Sequence, residues 1–102
     1  MTTVELLQSL IRIPSVNPDN DPGTDKVGEN GIAEYLSDLL VPHGFDVTLE
    51  EVLPGRPNVI ARCPGPADRP RIFLGPHTDT VGVSGMEFDP FCGDIKDGRI
   101  LG

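Results

Sequence analysis

Positive charge is scarce in this chain: eight lysines and arginines stand against sixteen aspartates and glutamates, a formal net charge of −8 over 102 residues. The basic residues are not gathered into a cluster. A surface that binds phosphates needs local positive charge, so no nucleic-acid partner is expected, and anionic membrane surfaces are disfavoured for the same reason. Cysteine is nearly absent. Cys63 and Cys92 stand alone without CxxC spacing, which argues against a disulfide framework or a structural zinc knuckle and for two buried or neutral thiols in a reducing compartment. Long apolar runs are missing too, and none approaches the about 20 residues of a membrane span. The opening Met1-Thr2-Thr3-Val4-Glu5 has neither the basic segment nor the apolar stretch of a signal peptide. The cytoplasm is the expected location.

What the chain does have is periodicity. Hydrophobic residues make up 37% of it and fall in regular runs, the pattern of a globular rather than a disordered chain. Thr2 and Glu5 form a capping box that marks a helix start. Leu6, Leu7, Leu10 and Ile11 then recur at helical spacing until Pro14 stops the run. Residues 14–28, rich in proline, Asn/Asp and glycine, read as an irregular loop long enough to suggest a function. A second helix is predicted over about 29–43, with Ile32, Leu36, Leu39 and Leu40 as its apolar stripe. Gly44 is its stop, and Pro42 disturbs its last turn.

Residues 45–50 alternate apolar and polar, the signature of a strand with one buried face. After a turn at Pro54-Gly55-Arg56-Pro57, residues 58–63 read as a second strand, and 71–74 as a short strand buried on both faces. Residues 95–100 read as a hairpin, because Asp97-Gly98 suits the positive backbone angles of a tight turn. No helix follows to cover the other face of such a sheet, and a bare apolar face is poorly stable. The expected architecture is therefore an α/β domain that is incomplete at its C-terminal side.

The chemistry concentrates in Leu74-Gly75-Pro76-His77-Thr78-Asp79-Thr80-Val81. The segment follows the run predicted as a buried strand, and in open α/β sheets ligands bind at that end. On an extended backbone the i, i+2 spacing turns His77 and Asp79 to the same side. Either the imidazole binds a metal while the carboxylate holds its second ring nitrogen, or both side chains are ligands. His43 is expected to cap the end of the second helix. Asp19, Asp21 and Asp25 lack the glycine and terminal glutamate of a calcium loop and read as solvated.

The segment 75–81, followed by Asp89-Pro90-Phe91 and then by Asp97-Gly98-Arg99-Ile100-Leu101-Gly102, resembles the zinc-dependent amidohydrolase and metallopeptidase superfamily that includes acetylornithine deacetylase, succinyl-diaminopimelate desuccinylase, aminoacylase and glutamate carboxypeptidase. Ile13-Pro14-Ser15, Glu29-Asn30-Gly31, His43-Gly44-Phe45 and Asn58-Val59-Ile60-Ala61 agree in order, so the resemblance covers nearly the whole chain. It implies that residues 1–102 are the N-terminal part of a three-layer αβα catalytic domain, without the smaller dimerisation domain. It implies His77 as the first zinc ligand and Asp79 as the catalytic-site aspartate that orients it. Two zinc ions are expected in the full enzyme, with cobalt able to substitute. The remaining ligands, a Glu-Glu pair, and a bridging aspartate after an Arg-Gly would lie beyond Gly102. Pro76 and Thr78 beside His77, and Met86 where an aromatic residue is common, depart from the pattern without touching a metal role.

The implied reaction is metal-assisted hydrolysis of an amide bond in an N-acyl amino acid or small peptide, with a homodimer as the working form by analogy. By itself the chain is expected to be inactive, since zinc sites need three or four protein ligands and only His77 qualifies here. Two other readings compete. One is a carboxypeptidase or dipeptidase of the same superfamily. The other is a small non-catalytic α/β binding module, which a stable, metal-free monomer ending at Gly102 would favour.

Overall fold

The computed structural model describes residues 1–102. Its elements are α1 (Thr3–Ile11), α2 (Asn30–Leu40), a 3₁₀ turn (Val41–His43), β1 (Asp46–Leu53), β2 (Arg56–Arg62), β3 (Ile95–Lys96) and β4 (Arg99–Ile100). The strands form two separate antiparallel hairpins, β1–β2 and β3–β4, so the chain is mixed α/β with small antiparallel sheets.

Each helix has the ends that its local sequence dictates. At α1 the Thr2 hydroxyl accepts the Glu5 backbone N–H, and the Glu5 carboxylate accepts that of Thr2 at 2.6 Å. This second bond holds the Glu5 carboxyl below its ordinary range. Helix α2 starts one residue later than predicted, with Glu29 as its N-cap, and tightens into the 3₁₀ turn at Pro42. Gly44, at φ 86°, reverses the chain in the left-handed region, where a glycine costs least. His43 Nδ1 donates to the Leu39 carbonyl at 2.8 Å, capping the last helical turn.

The β1–β2 hairpin runs in register from Asp46 opposite Arg62 to Leu53 opposite Arg56, with an irregularity between Glu51 and Leu53. Both strands extend beyond the predicted ranges to meet at a tight turn over Pro54 and Gly55. Burial of β1 is shallower than its alternation implies: only Val47 is half-buried. Helix α2 packs on both strands. In the second hairpin Asp97 and Gly98 take φ of 50° and 73°, as the Asp-Gly pair requires for a two-residue turn.

The long loop 14–28 is irregular but firmly held. Val16 pairs in parallel with Val27 on one side and with Thr80 on the other. Gly28 N–H donates to the Val16 carbonyl, Thr80 N–H to that of Ser15, and Asn17 N–H to that of Thr80, at 2.9–3.0 Å. Val16 is 0% exposed and is the largest fully buried side chain. Ile32 and Ala33 of α2 are the other buried hydrophobic residues. Helix α1 is tied to the far end of the chain: the Gln8 side chain donates to the Gly93 carbonyl at 2.6 Å and Arg12 Nε to that of Cys92 at 3.0 Å.

The strand predicted at 71–74 does not form. Those residues are unpaired, and Phe73 is 92% exposed. A strand apolar on both faces needs neighbours on both edges and layers above and below, and both hairpins here are closed local pairs. Pro70 and Pro76 also bracket the run and remove donors at its flanks, where a strand would have to extend. Cys63, expected among buried or neutral thiols, is exposed, whereas Cys92 is half-buried; neither is bridged. The radius of gyration is 15.6 Å, larger than the about 13 Å of a compact domain of this length. No helix is long and apolar enough to cross a membrane.

Val16 lies where three chain segments meet. Truncation by Val16→Ala is expected to cost about 2 kcal/mol through lost contacts and a residual void. Urea unfolding checks this: the midpoint should fall while the slope stays constant.

Candidate functional site

One buried acid governs how the loop lies. The Glu29 side chain, only 7% exposed, receives a two-pronged pair from Arg56, with Nε 3.0 Å from Oε2 and Nη2 2.9 Å from Oε1. The third arm, Nη1, reaches Asp19 Oδ2 at 3.3 Å. Hydrogen bonding by Glu29 raises the Arg56 guanidinium above its ordinary value, and Asp19 adds to the effect. Backbone contacts reinforce the junction, because Glu29 N–H donates to the Gly55 carbonyl at 3.1 Å. A Cβ on Gly28 would lie 3.0 Å from that carbonyl, and Gly28 has φ of 91°, so only glycine sits there without strain.

Held in this way, the loop brings Asn17 against the segment 77–82. Asn17 Nδ2 donates to Asp79 Oδ2 at 2.9 Å. The other carboxylate oxygen, Oδ1, is 3.0 Å from His77 Nδ1, which also faces the Asp79 carbonyl at 2.9 Å. Both neighbours of Nδ1 are acceptors, so the proton of the neutral ring sits on Nδ1 and the lone pair on Nε2. The His77 side chain is 85% exposed. The Asp79 carboxyl is held below its ordinary range, first by the Asn17 hydrogen bond and then, against the opposing effect of burial, by His77.

These residues line an open cavity of about 320 Å³ shared by Asn17, Asp19, Asp21, His77, Asp79 and Thr80. Its wall is acidic, with one imidazole. A second cavity of about 420 Å³ shares no residue with it and is bordered by Lys26, whose ammonium lies 5.6 Å from the centre of the Phe91 ring. The first cavity alone combines a ring nitrogen bearing a lone pair with a carboxylate that grips the other nitrogen. That arrangement suits metal ligation through Nε2.

His77 and Asp79, singled out by their spacing, are thus brought together, although not at the end of a strand. Asp19 and Asp21 reach the same cavity but do not converge with His77, and no group of three or more His, Cys, Asp or Glu side chains is arranged to hold a metal ion. Sequence reasoning missed Asn17 and the Glu29–Arg56 pair. The turn-forming Asn17-Pro18-Asp19 was visible as a loop signal, but nothing local indicated that its amide faces a residue 62 positions away.

The depressed Asp79 value carries a pH consequence. A carboxyl whose folded value lies below its unfolded one adds stability above the ordinary aspartate range and loses it as pH falls through the folded value. Asn17→Ala removes the largest cause, so the Asp79 midpoint should move up toward that of a free aspartate. A carbon-detected NMR titration of the Asp79 carboxyl measures it, and an unmoved midpoint would show that the amide does not act on the carboxylate.

Comparison with known proteins returns relatives along nearly the whole chain. Succinyl-diaminopimelate desuccinylase of Methylobacterium radiotolerans is 35% identical over 105 residues, which covers 97% of this chain and 24% of that protein. The protein of the same name from another Methylobacterium is 38% identical, covering 95% of this chain and 24% of its own length. Acetylornithine deacetylase of Vibrio vulnificus is 33% identical over 101 residues, covering 97% and 26%. The chain spans about a quarter of the length of the curated relatives it matches. No family model and no solved structure matches it significantly.

Proposed function

We propose, from the premise that this chain belongs to the superfamily of succinyl-diaminopimelate desuccinylases and acetylornithine deacetylases, that it forms part of a metal-dependent hydrolase of amide bonds in N-acyl amino acids or small peptides. The observation that carries the reading is the His77–Asp79 pair, with the carboxylate 3.0 Å from Nδ1, so that Nε2 is the ring nitrogen free to ligate. In this reading residues 1–102 are the N-terminal part of a three-layer αβα catalytic domain.

The residues fit a divalent cation in kind but not in number. His77 would supply one ligand, and Asp79 would keep the ring in the tautomer and direction that ligation needs. Other parts of the protein would supply the remaining ligands, so the 102 residues alone are inactive. Zinc, two ions in the whole enzyme with cobalt as a substitute, would supply the Lewis acidity that polarises the scissile carbonyl and activates water. The acidic cavity wall raises the local concentration of cations and disfavours free carboxylates. Recognition of the substrate's acidic groups therefore falls to basic residues elsewhere in the protein. A homodimer in the cytoplasm completes the reading.

The test is hydrolysis of N-succinyl and N-acetyl amino acids, and of short peptides, by the full-length protein loaded with zinc or cobalt. Activity that is lost on chelation and restored by metal is expected, and its absence on all three substrate classes would overturn the reading. His77→Ala should reduce kcat/KM by more than the about 10–100-fold that loss of a ligand's supporting partner costs. Asp79→Ala should cost about 10–100-fold in metal affinity or activity. Steady-state kinetics and bound-metal content measure both.

A further inference from the structure

Asn17 stands where the loop and the His77 segment meet, and both ends of its side-chain amide and its backbone N–H are engaged there. Its Oδ1 accepts the Asp19 backbone N–H at 2.8 Å, closing a local turn. Its Nδ2 donates to Asp79 Oδ2 at 2.9 Å. Its backbone N–H donates to the Thr80 carbonyl at 2.9 Å. The turn is itself anchored, since Asp19 pairs with Arg56, which is locked onto the buried Glu29.

Asp79 is consequently gripped at both oxygens, one by the Asn17 amide and the other facing His77 Nδ1. The torsion that rotates a carboxylate has a broad, soft profile. With only the imidazole as partner, carboxylate and ring would swing together. His77 is almost fully in solvent and has no packing of its own to stop that motion. The Asp79 backbone carbonyl gives the ring one hold at 2.9 Å, and the second, from the Asp79 carboxylate, is steadied by Asn17.

We infer that Asn17 is a positioning residue: by clamping Asp79 it fixes the His77 ring and so aims the Nε2 lone pair at a divalent cation. The inference rests on the reading of His77 as a metal ligand. It adds a third member to the pair, delivered by a different segment of the chain. Carboxylates that support ligands are worth about 10–100-fold in affinity; a clamp one bond further out is expected near the lower end, about tenfold.

A double-mutant cycle on zinc affinity, measured in the full-length protein by competition with a chromophoric chelator, tests it. Asn17→Ala should weaken zinc binding about tenfold in the otherwise native protein and have no further effect when Asp79→Ala is already present, because a clamp cannot act on a missing carboxylate. The visible spectrum of the cobalt-loaded protein should change in the single variant in the same direction as in Asp79→Ala. Asn17→Ser serves if the alanine variant does not fold: its hydroxyl can keep the turn to residue 19 but is too short to reach Asp79. Native affinity in both variants, or losses that simply add to that of Asp79→Ala, would overturn the inference and leave Asn17 a turn residue. His77→Ala is the control that separates the two readings. If it leaves zinc affinity unchanged, the metal reading falls, and the clamp with it.

Discussion

The arrangement depends on a carboxylate taken out of water. Glu29 sits at the N-terminal end of α2 with its side chain almost wholly covered. A buried charge is tolerated only when paired and hydrogen-bonded. The Arg56 fork meets that demand, and in doing so fixes three things at once. It sets α2 against the β1–β2 turn, it brings Gly28 close to the Gly55 carbonyl at a backbone angle that strains any other residue, and through its third arm it gathers in Asp19. Together with the backbone pairing of Val16 to Val27 and Thr80, that ion pair holds the loop which reaches His77.

The chain therefore supplies frame and chemistry from different sources. The frame is local in origin: a first helix closed by its capping box, a second stopped at Gly44, and two tight hairpins. The chemistry is assembled by a loop, as binding residues commonly are when a rigid scaffold carries them. Its loop 14–28 is irregular in conformation yet bridged on both sides through Val16. An acidic wall with a single imidazole lacks a cation of its own, which distinguishes it from the region around Lys26 and Phe91.

Legibility followed the range of the interaction. The Thr2–Glu5 capping box, the stop at Gly44, the disturbance at Pro42 and the Asp97-Gly98 turn each involve residues within a few positions, and each appears where local chemistry places it. The run 71–74 failed as a strand because strand formation is decided by neighbours, not by composition. The meeting of His77 and Asp79 was readable from i, i+2 spacing. Asn17, Val16 and the Glu29–Arg56 pair were not, because each acquires its role from a segment distant in sequence. The resemblance to a known superfamily was legible from the order of several short motifs, a signal that needs no folding argument.

The separation of Asn17 from Asp79 by 62 residues also orders events in time. Hairpins such as β1–β2 close within about 1–10 μs, and α1 and α2 need only their own sequence and a surface to lie on. Joining Val16 to Thr80 closes a far longer loop, at a chain-entropy cost on the order of 4 kcal/mol, and few buried side chains offset it. The His77 pocket is accordingly made later than the local hairpins and helices, and it depends on contacts that a local fluctuation can open. Any ligand held there would act as a latch on the whole chain, so that occupancy and folding are read out by one equilibrium.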